Sequence, residues 1–125
     1  MIVGLGSDLV EVRQVRRELA RGSWNAGDGV FTSAEIAWCG PGRRPERRFA
    51  ACFAAKEAAL KALGAELENV GTLREVEVNF GSGPGGQIIL HDHLEAIARR
   101  LGGRHIKLSV AVGRKSAAAM VILES

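Results

Sequence analysis

The sequence predicts an α+β fold: one long buried helix set against an antiparallel sheet, in a single domain spanning residues 1–125. Three observations carry this. From Glu46 to about Leu67 nearly every residue favours helix, and Phe49–Leu63 is apolar on almost every face, broken only by Lys56, Glu57 and Lys61; such a helix must be buried. Ile106–Val112 and Ser116–Leu123 flank Gly113-Arg114-Lys115, a hairpin signal. The 125 residues, 46% of them hydrophobic and 25% charged, suit one core of ordinary domain size.

The remaining elements follow in order. Ile2–Gly6, rich in β-formers and glycine, predicts an opening strand. Leu9, Val12, Val15 and Leu19 recur at helical spacing, with Arg13, Arg16, Arg17 and Arg21 on the other faces, so an amphipathic helix with a basic exposed side follows. Gly22–Gly29 reads as loop. Thr32 or Ser33 caps a short helix to about Cys39, ended by Gly40-Pro41-Gly42. Leu73, Val76, Val78 and Phe80 predict a strand, Gly81–Gly86 a turn, and Gln87–Leu90 a second strand. Leu94–Leu101 is helical and stops at Gly102-Gly103.

Composition narrows the function. Residues Met1–Ala62 hold ten Lys and Arg against seven Asp and Glu, whereas Leu63–Ser125 is balanced at seven each, so the first half carries the whole +3. Thirteen of the seventeen cations are Arg, whose planar fork suits carboxylate or phosphate partners. With no Tyr, four Phe and two Trp, and no zinc-finger or RNA-recognition signature, nucleic acid is a minor alternative. No apolar run approaches the roughly 18 residues of a membrane span. The amino end shows no secretory pattern, and Cys39 and Cys52 lack metal or redox spacing, which points to reduced thiols in the cytoplasm.

Gly4-Leu5-Gly6-Ser7-Asp8 invites a dinucleotide reading, but Leu9 stands where the third glycine belongs and no βαβ unit follows. Two readings of Asp8 stay open. It is either the N-cap of the basic helix, with Glu11 completing a capping box, or one carboxylate of a metal pair. Glu57 and Lys61 are four apart, the spacing of a simple helical ion pair. Their setting in an apolar helix demands partners, and a metal or a phosphate would supply them. His91-Asp92-His93 is a weak metal pattern and reads as a polar helix start; His105 stands alone.

Taken together, these residues resemble a known family. Ile2-Val3-Gly4-Leu5-Gly6-Ser7-Asp8-Leu9-Val10-Glu11 resembles the opening motif of the holo-acyl-carrier-protein synthases. Phe53-Ala54-Ala55-Lys56-Glu57-Ala58-Ala59-Leu60-Lys61-Ala62-Leu63-Gly64 resembles their second, helical motif, and Val121-Ile122-Leu123-Glu124 fits their closing strand. The resemblance spans the chain. It implies a 4'-phosphopantetheinyl transferase-like fold and transfer of the phosphopantetheine arm of coenzyme A to a serine of an acyl carrier protein.

By motif position, Asp8 and Glu57 would hold Mg²⁺ against the pyrophosphate, Lys61 would neutralise the transferring phosphate, and Lys56 would sit beside the nucleotide. A carboxylate would take the serine proton. The resemblance also implies a homotrimer with sites between subunits, and an acidic carrier protein suits the helix bearing Arg13, Arg16, Arg17 and Arg21. The chain departs from the family at Cys52, at Ala65-Glu66, at Gly86-Gln87, and at Ala111 and Val112, positions expected around coenzyme A. The alternatives are a non-catalytic relative that binds the carrier or coenzyme A, or an enzyme with changed chemistry on a carrier-bound thioester.

Overall fold

The computed structural model describes residues 1–22, 29–65, 70–82 and 85–125. Strand β1 (Ile2–Glu11) leads into helix α1 (Val12–Arg21); α2 (Ser33–Cys39) and the long α3 (Pro45–Leu63) follow. A hairpin of β2 (Val76–Asn79) and β3 (Gln87–Leu90) precedes α4 (Asp92–Arg100), and β4 (His105–Val112) and β5 (Ser116–Glu124) close the chain. Two antiparallel sheets result, one ordered β1-β5-β4 and one β2-β3. Residues 23–28 of the expected loop over Gly22–Gly29, the carboxyl end of the expected long helix and part of the Gly81–Gly86 turn lie outside the described residues.

The main departure from expectation is the length of β1. The sequence predicts a strand ending at Gly6, yet pairing with β5 continues to Glu11, opposite Ser116. Leu9 belongs to this strand: it faces outward with Leu5, while Val10 turns inward. The helical apolar seam starts only at Val12 and Val15, both buried. A ladder of interstrand hydrogen bonds overrides a local spacing that one leucine satisfied by coincidence. Asp8 is therefore no N-cap. It sits in β1 opposite Ala119, and the N-cap of α1 is Glu11, whose side chain makes no capping bond.

Gly4 and Gly6 face inward on β1, where α3 lies against the strand. A Cβ at Gly4 would run into the carbonyl oxygen of Ala62, and one at Gly6 into that of Ala58. Glycine is what lets the helix backbone approach so closely. Ala54, Ala55, Ala58 and Ala59 fill the resulting narrow seam, all buried. The all-round apolar character of α3 is thus used within one chain, against β1 and β5 on one side and against α1 and α2 elsewhere. Gly64, in the left-handed region at φ 64°, caps the helix after Leu63.

The short helix α2 is capped as the sequence predicts. Thr32 accepts from the Glu35 N–H, and the Glu35 carboxylate accepts from the Thr32 N–H, forming a capping box. The strand expected from Leu73 to Phe80 shrinks to Val76–Asn79 between 3₁₀ turns. His91 caps α4 and His93 lies in its first turn, in keeping with a polar helix start.

Candidate active site

Three elements assemble an acidic centre. Asp8 continues the inward row Gly4, Gly6, Asp8 of β1, and α3 runs past that row. Lys61 of α3 donates to the Asp8 carboxylate at 2.9 Å and to the Ser7 carbonyl at 3.0 Å. Glu57, one helical turn before Lys61, faces a pocket lined also by Asp8, Val10, Gln14, Glu18 and Phe53. The i,i+4 pair expected between Glu57 and Lys61 gives way to a tertiary one: the ion pair of Lys61 is with Asp8.

The electrostatics show what this pocket lacks. Burial pushes the Glu57 carboxyl above its ordinary value, the nearby Asp8 charge pushes it further, and Lys61 opposes both. Asp8, Glu18 and Glu57 thus bring three carboxylates to one pocket, while Lys61, paired with Asp8, is itself about half exposed. Among the described residues no group of three or more His, Cys, Asp or Glu is placed to hold one metal ion by itself. The Asp8 and Glu57 carboxylates, half-buried at one pocket, are a donor pair suited to Mg²⁺, which keeps waters and takes its remaining oxygens from substrate phosphates. The residues present fit that ion.

Lys56 is placed elsewhere. The sequence reading puts it beside a nucleotide, but its ammonium is wholly buried. It pairs with Glu35 at 2.6 Å and donates to the carbonyls of Leu73 and Val76 at 2.8 and 2.6 Å. Glu35 also accepts from the Val78 N–H at 2.7 Å. With every polar atom of the pair satisfied, Lys56 ties α3 to α2 and β2, and it has no donor left for an external phosphate. Glu35 is the residue that sequence reasoning missed; its capping-box position was legible, whereas its second role needs a partner 21 residues away.

A second cleft was also missed. Trp38 stacks on Phe80 with ring centroids 4.7 Å apart, and Arg47, Arg48, Ala51, Gly85, Gly86, Val110 and Val112 complete the lining. Arg48 is spent on the carbonyls of Cys39, Pro41 and Arg43, which leaves Arg47 as the cleft's available guanidinium. Of the positions that depart from the family pattern, Gly86 and Val112 line this cleft and Ala111 lines a depression beside Asp8 and Lys61. Cys52 lines neither: it is buried against Cys39, and burial foremost holds its thiol well above the usual range. Gln87 is exposed at the start of β3, and Ala65 follows the end of α3.

Arg13, Arg16, Arg17 and Arg21 are all exposed on α1, as expected. Two are partly occupied: Arg16 reaches Glu46 at 3.6 Å and Arg21 reaches Glu18 at 3.4 Å. Among the described residues no helix is long and apolar enough to cross a membrane.

Comparison with known proteins gives the family and the fold. Residues 4–119 match the family model described as the 4'-phosphopantetheinyl transferase superfamily. The chain is 40% identical to the holo-[acyl-carrier-protein] synthase of Koribacter versatilis, over 99% of both chains. It is 36% identical to that of Moorella thermoacetica, over 96% of this chain and 92% of the relative. Among solved structures, the synthase of Neisseria meningitidis shares the fold with a TM-score of 0.84 at 22% identity, over the whole of both chains. That of Bacillus anthracis, in complex with CoA (3',5'-ADP), superposes with a TM-score of 0.76 at 27% identity, over 100% of this chain and 98% of that one. With motif, fold and full-length similarity in agreement, the chain belongs to the 4'-phosphopantetheinyl transferase superfamily.

Proposed function

We propose that this protein, acting as one domain over residues 1–125, transfers the 4'-phosphopantetheine group of coenzyme A to a serine of an apo acyl carrier protein, breaking the pyrophosphate bond and releasing adenosine 3',5'-bisphosphate, with Mg²⁺ held by Asp8 and Glu57. The observation that carries the reading is the convergence of two distant motifs on Asp8, which pairs with Lys61 and lines one pocket with Glu57. Phosphoryl transfer is catalysed mainly by positioning and charge neutralisation, and this pocket offers both. A divalent cation between the two carboxylates, when bound, supplies positive charge to the pyrophosphate oxygens. Lys61, anchored by Asp8 and the Ser7 carbonyl, presents its ammonium to the transferring phosphate. The carboxylates lining the pocket, Asp8, Glu18 and Glu57, are its proton acceptors for the serine hydroxyl.

The Trp38/Phe80 cleft suits the nucleotide end of coenzyme A, with an aromatic pair for the base and Arg47 for a phosphate. Within one chain, α3 stands between this cleft and the acidic pocket: Ala51 lines one and Phe53 the other, on opposite sides of the helix. One coenzyme molecule therefore bridges both kinds of site only between copies of the chain. The outer face of the three-stranded sheet supports such an assembly, since Leu5 and Leu9 are 60% and 68% exposed and Met120 46%. A homotrimer in the cytoplasm, with the sites shared between subunits, is the arrangement we infer. The basic face of α1 is the docking side for the acidic carrier.

The test is an intact-mass assay of apo carrier proteins incubated with coenzyme A, Mg²⁺ and the protein. A carrier that gains one phosphopantetheine group supports the reading. If none of several carriers gains that mass at any Mg²⁺ concentration, the reading fails.

A further inference from the structure

The hairpin joining β4 and β5 ends in Arg114 and Lys115, and the fold brings this tip to the start of α1. The Val12 N–H donates to the Lys115 carbonyl at 2.9 Å, and the Gly113 N–H to the Ser116 carbonyl at 2.8 Å closes the turn. A cleft of about 480 Å³ results, lined by Glu11, Arg13, Arg16, Arg114, Lys115 and Ser116. Four cations thus face one carboxylate, an excess of three and as large as the formal charge of the whole chain. Arg16 shares Glu46, whereas Arg13, Arg114 and Lys115 carry no ion pair among the described residues.

We infer that Arg114 and Lys115 form the second wall of the carrier-docking surface, gripping carboxylates of the acyl carrier protein between the hairpin tip and α1. The inference rests on the proposed function and extends it to a part of the chain that motif reading leaves aside. Turn chemistry does not explain the two cations, since a tight hairpin calls for Gly, Asn or Asp. Like charges gathered round one cleft repel each other, and a cleft of one sign focuses the field that draws in an acidic partner.

Position relative to the reaction makes the case specific. Gln14, Val15 and Glu18 line the acidic pocket with Asp8 and Glu57, while Arg13 and Arg16 line the basic cleft. The two therefore flank the same helix, separated by about one helix diameter, roughly 10 Å. An acidic helix seated in the basic cleft lies one helix width from the reacting centre.

The test compares wild type with the Arg114→Glu/Lys115→Glu double variant, both exposed turn positions, by steady-state transfer kinetics and by direct fluorescence-anisotropy binding of labelled apo carrier. The expected result is at least a tenfold rise in carrier KM and Kd, roughly what reversing two rim charges produces, with kcat and the coenzyme A KM unchanged and the effect shrinking at high salt. Unchanged carrier KM and Kd in the variant overturn the inference. A rise confined to the coenzyme A KM also overturns it, since the cleft would then hold a nucleotide phosphate. A carrier that binds wild type without being modified defeats the transfer reading alone, and the variant's Kd still decides this inference. Absence of both binding and transfer by wild type defeats both.

Discussion

Lys61 of α3 and Asp8 of β1, 53 positions apart, are joined by a 2.9 Å ion pair at the seam where glycines admit the helix to the strand. This contact links the two motifs into one centre. It also places a carboxylate and an ammonium side by side near Glu57, whose own site disfavours its charge.

Removing either proposed metal ligand should therefore cost activity much more than stability. Asp8→Asn and Glu57→Gln are each expected to lower kcat/KM by about 10²–10³-fold, the scale of losing one preorganised electrostatic partner. The measurement is transfer rate against Mg²⁺ concentration, with thermal melts as a folding control. Full activity in either variant would refute its assignment as a ligand.

The raised Glu57 carboxyl has a pH consequence with a definite sign. The folded state keeps its proton to higher pH than the unfolded chain does, so this group's contribution to stability declines as pH rises from the ordinary carboxylate range through the raised value. Glu57→Gln should melt higher than metal-free wild type at neutral pH, and the gap should close below the ordinary carboxylate range. Mg²⁺ should raise the wild-type Tm at neutral pH, progressively less as the pH falls through the raised value, and should leave the Gln variant unmoved. Calorimetric melts from acid to neutral pH, with and without Mg²⁺, check all three.

The Glu35–Lys56 pair should behave as a structural unit. Lys56→Met strands a buried carboxylate and is expected to cost about 3–5 kcal/mol, as is Glu35→Gln from the other side. The Glu35→Gln/Lys56→Met double variant should be less destabilised than the sum of the singles. Urea unfolding measures all three, and additive losses would show that the two side chains act independently.

Close approach of α3 to β1 should make Gly6 intolerant of any side chain. Its Cβ would meet backbone at Ala58 and Ala62, which cannot rotate away. Gly6→Ala is expected to destabilise by about 3 kcal/mol, the upper end of overpacking costs. By contrast Gly64 has open space around a would-be Cβ, and only its left-handed φ resists substitution, so Gly64→Ala should cost about 1 kcal/mol. Denaturant midpoints that rank the two the other way would contradict this packing.

Charge placed on the outer face of the sheet should break the proposed assembly without unfolding the chain. Leu9→Lys and Met120→Lys change exposed side chains, so each is expected to shift a trimer towards monomer and to abolish transfer. Sedimentation equilibrium and far-ultraviolet circular dichroism read the two effects separately. A wild-type chain that sediments as a monomer would remove the basis for sites shared between subunits.

What local pattern determined, the sequence by itself displayed. The apolar run of α3, the Thr32 cap, the hairpin of β4 and β5 and the basic face of α1 each depend on residues close together in the chain, where spacing and turn chemistry act directly. The two motifs were also legible, and with them Asp8, Glu57 and Lys61. Tertiary structure decided the rest, because each remaining point depends on which distant group fills the space beside a residue. Pairing with β5 carried β1 past Leu9 and took Asp8 out of a helix cap. Burial beside Glu35 drew Lys56 into the core, though in the sequence it is one more charged residue of the motif that holds Glu57 and Lys61. Contact between a hairpin tip and the start of α1 gathered four cations from two halves of the chain, one of them charge-neutral overall.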